Sequence, residues 1–392
     1  MLATDARPAP GATSRRSGPS VWRQLDFVLV GGVVLLAAFG VVMVWSATRV
    51  PLASSGLPGD YTAKKQAIFS IAGVAVMLVM ARIDYHRWKD WAPALYGLGL
   101  LALVAVFVVG RRVKGAQAWF QVGPYQLEPS EFVKITLIIG LAAYAARWKG
   151  RLPARAVAVI LVLTAVPFVL VYKQPALGSA LVLLAIAATV IVIGGARMRL
   201  VAALAAVAVL LVAGVLQLGI LKGYQRARIT SFVNTPNVVN PSLLQTVAGA
   251  NIYNLVESKN AISHGGLLGQ GIGKGSATNL SQVPSQQTDF IFSAAGEQVG
   301  LVGCALLLGL FLLVLWRTWL AAAQSRDLFG TLVCVGVLGM LAFQIFENIG
   351  MAMGMMPVAG IPLPWMSYGG SAVIVEFVVV GLVLSVRMRR VP

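Results

Sequence analysis

The residue best suited to chemistry in this sequence is Asp289, which follows Thr288 where a long polar segment meets an apolar one. A carboxylate at such a boundary can reach a substrate in water, and partial burial raises its proton affinity so that it can act as a general base. The alternative is a structural acid, favoured at a helix start by Thr288 capping and by the helix macrodipole. Glu297 follows about two helical turns later, on a similar face but deeper in the apolar stretch.

Glu131 and Lys134 form a second polar pair, because a spacing of three places both side chains on one face of a helix. Ionisable residues inside an apolar span are costly, and they mark functional sites or buried ion pairs. Two interpretations stay open: an ion pair that fixes helix packing, or the border of a polar cavity for a charged head group.

A glycine-rich stretch runs from Gly265 to Gly275 and includes Lys274. It does not fit the P-loop motif, because Gly275 occupies the position that requires Ser or Thr and no strand is predicted before it. Two alternatives remain for this stretch. It is either a flexible loop or a run of backbone amides exposed to a pyrophosphate.

Residues 356–371 contain three prolines and three glycines, which predict a fixed non-helical backbone beside the apolar spans. Such backbone at the membrane edge normally lines a cavity. The aromatic side chains of Trp365 and Tyr368 fit either a cavity wall or an interfacial anchor.

The composition indicates that a membrane protein must position these residues. Of 392 residues, 58% are hydrophobic and 11% are charged, whereas a soluble domain carries about a quarter charged residues. A soluble enzyme and a disordered chain are therefore excluded. The net charge of +18 fits basic cytoplasmic loops and anionic lipid head groups rather than nucleic acid. Two histidines and two cysteines exclude a histidine-rich metal site and a disulfide framework.

Ten apolar segments are long enough to cross a bilayer as helices, which predicts an all-α integral membrane protein. The ten are residues 27–47, 66–82, 91–110, 130–146, 155–172, 175–195, 199–219, 289–316, 329–356 and 370–387. The basic residues that flank them place both termini in the cytoplasm. Residues 1–25 are then a disordered cytoplasmic tail and residues 26–392 the membrane domain. Residues 220–288 form a long extracytoplasmic loop between the seventh and eighth helices.

Several segments, in chain order, resemble the shape, elongation, division and sporulation (SEDS) family, and its RodA branch more than its FtsW branch. They are Lys114-Gly-Ala-Gln117 before Trp119, Glu128-Pro-Ser-Glu-Phe-Val-Lys134, Gln174-Pro175 with Leu177-Gly178, Tyr224-Gln225-Arg226, Gly265-Gly266, Thr288-Asp-Phe-Ile-Phe292 and Gly360-Ile-Pro-Leu-Pro-Trp-Met-Ser-Tyr-Gly-Gly-Ser371. The resemblance spans nearly the whole chain after the tail.

The resemblance implies a ten-helix peptidoglycan glycosyltransferase of the bacterial cytoplasmic membrane, which polymerises lipid II on the outer face together with a class B penicillin-binding protein. It implies Asp289 as the catalytic residue, and it identifies Glu131 and Lys134 with the family's intramembrane pair. Lipid II, undecaprenyl-linked glycan and membrane lipids are the expected partners, with no nucleic acid. The expected substrate-binding residues are Lys65, Lys114, Trp119, Glu131, Lys134, Gln174, Lys274, Ser367 and Tyr368.

Four positions depart from the family's usual pattern. Ala118 stands where Arg is usual, Glu128 where Gln is usual, Ala176 where Asp is usual and Gln287 where His is usual. The chain therefore has no acid at position 176 and no base at position 118. Arg111, Arg112 or Lys114 could supply the missing cation.

In the mechanism that the resemblance implies, Asp289 accepts a proton from the acceptor sugar's 4-hydroxyl while undecaprenyl pyrophosphate leaves the donor. No motif fixes a metal site, and a divalent cation such as Mg²⁺ or Mn²⁺ is an alternative to basic residues beside the leaving group.

Two other classes of function remain open, a lipid II flippase and a non-catalytic scaffold that recruits cell-wall synthases. The flippase is disfavoured because polar residues concentrate at the outer boundary and no repeated pair of half-helices is visible.

Overall fold

The structure is a computed structural model that describes residues 24–113, 116–123, 125–217 and 247–390. Most of the predicted tail, Lys114 and the Tyr224–Arg226 motif lie outside the described residues. Twelve helices are found in the part that is described. They are α1 Phe27–Ser54, α2 Tyr61–Arg82, α3 Tyr85–Val109, α4 Pro129–Ala146, α5 Ala154–Lys173, α6 Leu177–Ile193, α7 Met198–Gln217, α8 Val247–Gly265, α9 Ser276–Asn279, α10 Ile291–Ala323, α11 Leu328–Ala352 and α12 Gly370–Met388.

Eight of these helices are long and apolar enough to cross a membrane: α1 to α5 and α10 to α12. Helix α6 and the apolar part of α7 are shorter. Each predicted apolar segment coincides with a helix, because a continuous apolar run in lipid satisfies its backbone groups only as a helix. The mostly helical membrane fold is therefore confirmed.

A small antiparallel sheet between α3 and α4 corrects the all-α prediction. It consists of β1 Arg111–Val113, β2 Ala116–Val122 and β3 Tyr125–Leu127, with β2 in the middle. Strand β2 contains the aromatic residues Trp119 and Phe120, and Gly123 in the following turn has φ 59°. Hydropathy over membrane-length stretches does not detect strands this short.

The interior of the bundle is formed mainly by α4, α11 and α12. In α12, 83% of a membrane-length stretch is buried, against 17% in α3. Helix α12 approaches α2 closely because small residues lie between them. A Cβ atom on Gly73 would lie 2.3 Å from Phe377, and one on Gly381 would lie 2.7 Å from the Met77 oxygen. The apolar side chains of α3 face outward and suit contact with lipid.

The second half of the predicted long loop contains ordered structure. Helices α8 and α9 lie within it, and the glycine-rich stretch fits into a kink of α10 at Gly300, whose φ is 65°. Leu301 N donates to Gly266 O at 2.9 Å, and Gln270 N donates to Glu297 O at 3.0 Å. A Cβ on Gly269 would lie 2.2 Å from Gln298 O. The glycines therefore allow two backbones to meet, and the flexible-loop interpretation of this stretch is wrong.

The opposite end of the bundle is held by an ion cluster around Asp26. Arg317 donates to both carboxylate oxygens of Asp26, at 2.7 Å from Nη2 and 2.9 Å from Nε. Arg387 Nε lies 2.7 Å from the second oxygen, and Leu29 N donates to the first at 3.1 Å. This cluster joins the start of α1 to the ends of α10 and α12.

Candidate functional site

Asp289 lies in a turn just before α10. Its backbone N–H and that of Thr288 both donate to Ser285 O at 3.1 Å, and Thr288 Oγ1 donates to the same oxygen at 3.0 Å. The N-cap of α10 is Phe290, with no side-chain cap and no acid in the first turn. Thr288 therefore does not cap α10, and Asp289 stands one residue before its N-cap. The Asp289 side chain is half-buried, so it keeps access to the outside of the bundle.

The turn that carries Asp289 is attached to the segment 356–371. Asn348 Nδ2 donates to Asp289 O at 2.8 Å and to Ile361 O at 2.7 Å. Gly360 has φ 72°, and a Cβ added there would lie 3.7 Å from Asp289 Oδ2. The carboxylate therefore faces a stretch of backbone without a side chain, which leaves room beside it.

The segment 356–371 is itself held from several sides, as its prolines and glycines predict. Ser367 Oγ accepts from Leu363 N at 2.8 Å, and Gln66 Nε2 donates to Ser367 O at 3.1 Å. Trp365 has φ 59°, and its backbone N–H donates to Glu376 Oε2 at 2.6 Å. The Ser367 and Trp365 side chains are buried. Ser367 therefore fixes the backbone, and Trp365 is not an interfacial anchor.

Tyr368 stands at the exposed side of this segment. Its backbone N–H donates to Gln287 O at 2.8 Å, two residues before Asp289. Its side chain is half-buried and interacts electrostatically with Lys65 and Tyr61 of α2. Lys65 and Tyr368 therefore lie on the same side of the site as Asp289.

The start of α4 carries a polar cluster. Lys134 Nζ donates to Glu131 Oε1 at 2.5 Å, and both side chains are buried. This geometry shows the ion pair that the spacing predicts. Trp119 Nε1 donates to Glu128 Oε2 at 3.1 Å, and Ser130 Oγ donates to Glu128 Oε1 at 2.7 Å. Trp119 is thereby fixed by Glu128, the residue that departs from the family's usual Gln.

Glu128 precedes α4 and lies outside the membrane-spanning helices. Burial, followed by the charge of Glu131, raises the pKa of its carboxyl to about 7. The Ser130 hydrogen bond and the charge of Lys134 act in the opposite direction. Glu128 N also donates to Ser371 Oγ at 3.0 Å, which joins this cluster to the segment 356–371.

The other predicted binding residues lie in different surroundings. Gln174 is buried between α5 and α3, where its Nε2 donates to Leu103 O at 3.2 Å. Lys274 is exposed on the glycine-rich stretch. The amides beside it are occupied, since Gly271 N donates to Gln298 O at 3.0 Å and Gly273 N to Gln298 Oε1 at 2.8 Å. A row of free amides for a pyrophosphate is therefore not formed there.

Glu297 has a role that spacing along a helix does not reveal. Its buried carboxylate accepts from Ala277 N at 2.6 Å, from Thr278 N at 3.0 Å and from Thr278 Oγ1 at 2.6 Å. It therefore caps α9 from the kinked helix α10. Among the described residues, no group of three or more His, Cys, Asp and Glu side chains is arranged to hold a metal ion.

Sequence reasoning did not identify Gln66, Asn348, Tyr61 and Tyr125 around the segment 356–371, and it gave Glu376 no role there. Asn348 and Glu376 were detectable in principle, because polar side chains in apolar helices need partners. Tyr125 belongs to the undetected sheet. Its ring meets Phe69 of α2 edge-on, with centroids 5.6 Å apart.

The family model described as "Cell cycle protein", which covers FtsW, RodA and SpoVE, matches residues 27–391. The chain belongs to this family. Relatives named FtsW and MrdB are equally similar to this chain in sequence. A probable peptidoglycan glycosyltransferase FtsW from Trichlorobacter lovleyi is 34% identical over 367 residues, which are 93% of each chain. The peptidoglycan glycosyltransferase MrdB of Escherichia coli K12 is 34% identical over 370 residues, which are 93% of this chain and 94% of MrdB.

A solved structure supports the same assignment. It describes the structural coordination of polymerization and crosslinking by a peptidoglycan synthase complex, and one of its chains superposes with a TM-score of 0.75 and 33% identity. The match covers 93% of this chain and 98% of that one. With eight membrane-length helices, this FtsW/RodA/SpoVE family member is a multi-pass protein of the bacterial inner membrane.

Proposed function

We propose that this protein polymerises lipid II into β-1,4 glycan strands on the outer face of the cytoplasmic membrane, as a peptidoglycan glycosyltransferase of cell elongation. Family membership and two relatives named peptidoglycan glycosyltransferases support a cell-wall glycosyltransferase. The likeness of residues 360–371 to the RodA branch supports elongation. The proposed topology has ten membrane helices and both termini in the cytoplasm, with residues 220–288 outside.

The observation that carries the proposal is the setting of Asp289. Its half-buried carboxylate lies where α10 begins, beside the backbone of Gly360. Asn348 joins the backbone oxygen of Asp289 to that of Ile361. A general base must keep one orientation while its substrate approaches, and it must stay in contact with the outer side. The turn at Ser285 and the rigid segment 356–371 supply both conditions.

In the proposed reaction, Asp289 accepts the proton of the acceptor sugar's 4-hydroxyl. The acceptor oxygen then forms a bond to the anomeric carbon of the donor, and the bond from that carbon to undecaprenyl pyrophosphate breaks. The pyrophosphate leaves with the electron pair of that bond, and its negative charge must be stabilised by cations. Configuration inverts at the anomeric carbon, which gives the β-1,4 linkage.

The substrate-binding residues stay proposals. Lys65, Trp119, Lys274 and Tyr368 are at least partly exposed and can contact a lipid-linked saccharide directly. Glu131, Lys134, Gln174 and Ser367 are buried, so we propose that they act by holding the helices and loops that border the substrate. The proposed protein partner is a class B penicillin-binding protein, in line with the cross-linking complex found among the solved structures.

A flippase is the second candidate, and the contacts of the buried charges disfavour it. A transport path requires ionisable groups that can take up a cargo near the middle of the membrane. Glu131 is instead bonded to Lys134, and Glu297 is saturated by Ala277 and Thr278. A non-catalytic scaffold is also disfavoured, because it would not require Asp289 to be held in a fixed, half-buried position.

The test uses full-length protein, purified with its class B penicillin-binding protein and incubated with labelled lipid II. We expect the wild type to form glycan polymer and Asp289→Asn to form none, because an amide cannot accept the proton. Asp60→Asn is the matched control, since Asp60 is an exposed acid paired with Lys64 at 2.6 Å. This control should retain full activity.

The same preparation in vesicles distinguishes the other classes of function. Movement of lipid II across the bilayer without polymer would replace the transferase with a flippase. Undiminished polymer from Asp289→Asn would remove Asp289 as the base, provided that gel filtration and thermal unfolding match the wild type.

A further inference from the structure

Two adjacent lysines at the start of α2 differ in their partners. Lys64 is 71% exposed and pairs with Asp60 at 2.6 Å. Lys65 is half-buried, and among the described residues no carboxylate lies within ion-pair distance of its Nζ. The charge of this ammonium group is therefore not neutralised by a carboxylate of the described residues. Lys65 therefore has the properties of a cation that awaits an anionic ligand.

Three tyrosines from separate segments surround Lys65. Its ammonium group lies over the Tyr61 ring, with Nζ 4.5 Å from the ring centroid, and it is close enough to Tyr125 of β3 and to Tyr368 to interact with them electrostatically. The cluster is held together by Phe69, one helical turn after Lys65. The Phe69 ring contacts Tyr125 and lies so close to Gly370 that a Cβ there would be 2.7 Å away.

We propose that Lys65 and the hydroxyl groups of Tyr61, Tyr125 and Tyr368 form a binding site for a phosphate group, and that its occupant during catalysis is the diphosphate of the lipid-linked donor. We refer to these four residues as the Lys65 site. The proposal rests on the proposed function, because the diphosphate belongs to a glycosyl donor.

The chemistry of the Lys65 site suits this ligand. An ammonium group and three phenol hydroxyls can all donate hydrogen bonds to phosphate oxygens. The first turn of α2 adds the positive end of a helix dipole. Tyr61 and Tyr125 are 44% and 46% exposed, so a ligand can enter from outside.

The Lys65 site is also on the correct side of the reaction centre. Tyr368 N donates to Gln287 O, two residues before Asp289, so the site adjoins the turn that carries the base. When the anomeric C–O bond breaks, its electron pair goes to the diphosphate oxygen while the acceptor proton goes to Asp289. A cation at Lys65 then stabilises the charge that develops on the leaving group.

The test compares Lys65→Gln with Lys64→Gln in the polymerisation assay. We expect Lys65→Gln to lower kcat/KM about 10- to 100-fold, and Lys64→Gln to stay within about two-fold of the wild type. Lys65→Arg keeps the charge and should recover most of the activity. Because a structural loss would also lower the rate, inhibition by undecaprenyl diphosphate is measured as well. Its inhibition constant should rise in Lys65→Gln and in Tyr61→Phe, and remain unchanged in Lys64→Gln.

Three outcomes would overturn the proposal. Equal kcat/KM and equal product inhibition in the two Gln variants would remove Lys65 from the site. The difference between Lys65→Gln and Lys64→Gln would depend on lipid if it were absent in vesicles of phosphatidylcholine alone and returned when phosphatidylglycerol is added. That result would assign the Lys65 site to a phospholipid head group instead. Equal loss in Lys65→Arg and Lys65→Gln, with lowered thermal stability, would indicate a folding role. An active Asp289→Asn would contradict the proposed function separately.

Discussion

One side chain, Asn348, holds the turn of Asp289 against the segment 356–371. Its Nδ2 lies 2.8 Å from the backbone oxygen of Asp289 and 2.7 Å from that of Ile361. Asn348 is fully buried in α11. The position of the proposed base relative to the rigid segment therefore depends on an amide in the interior of the bundle.

We expect Asn348→Ala to lower kcat about 10- to 100-fold with little change in KM, because the base loses its orientation while the substrate-binding surface stays. Two buried carbonyl groups also lose a donor, which costs about 1–3 kcal/mol of stability. Steady-state polymerisation and thermal unfolding in detergent measure the two effects.

The control for Asn348→Ala is Gln344→Ala, one turn earlier on the same helix. Gln344 is equally buried, and its amide has no hydrogen-bond partner among the described residues. If both variants lost kcat to the same degree, the effect would come from helix packing rather than from the bond to Asp289.

Glu297→Ala should loosen the segment between the glycine-rich stretch and Asp289. The substitution leaves Ala277 N, Thr278 N and the Thr278 hydroxyl without their acceptor. Each buried donor without a partner lowers the free energy of unfolding by about 1–3 kcal/mol. We expect faster proteolysis within residues 265–289 and a lower thermal midpoint. Ser276→Ala, which removes only a 3.2 Å bond to the same carboxylate, should have a small effect. Unchanged proteolysis in Glu297→Ala would show that α9 is held by other contacts.

The positions of the membrane helices could be predicted because each is determined by a local property, a long apolar run. The environment of Asp289 could not be predicted, because it depends on residues far apart in sequence. Lys65 meets Tyr125 and Tyr368 only after α2, the sheet and the segment 356–371 have packed together. Neither interpretation of the glycine-rich stretch includes its contacts with α10, because the kink at Gly300 cannot be recognised inside an apolar run.

Asp26→Asn should destabilise the fold more than any exposed substitution. Asp26 pairs with two guanidinium groups, those of Arg317 and Arg387, and its side chain is fully buried. Removing one partner of a buried pair costs about 3–5 kcal/mol, since the remaining charges lose their compensation. Asp60→Asn breaks an exposed pair and should cost at most about 1 kcal/mol. Equal thermal midpoints for the two variants would contradict this account.

The pKa of Glu128 predicts a pH-dependent stability. Burial raises this pKa to about 7 in the folded protein, from an ordinary value of 4.5 for a glutamate. The folded state therefore binds the proton more tightly than the unfolded state, and the carboxyl contributes stability that is complete below about pH 4.5. That contribution is lost as pH rises through about 7, where the buried carboxyl must ionise.

Glu128→Gln replaces the acid by a neutral amide of nearly the same shape. We expect the variant to gain about 1–3 kcal/mol over the wild type between pH 5 and pH 8, because it has no proton to lose. Thermal midpoints across that range measure the difference, and Glu257→Gln, outside this cluster, serves as the matched acid control. If the thermal midpoints of Glu128→Gln and the wild type differed by the same amount at every pH, Glu128 would not titrate near neutrality. Its hydrogen bonds to Trp119 and Ser130 would then account for the difference.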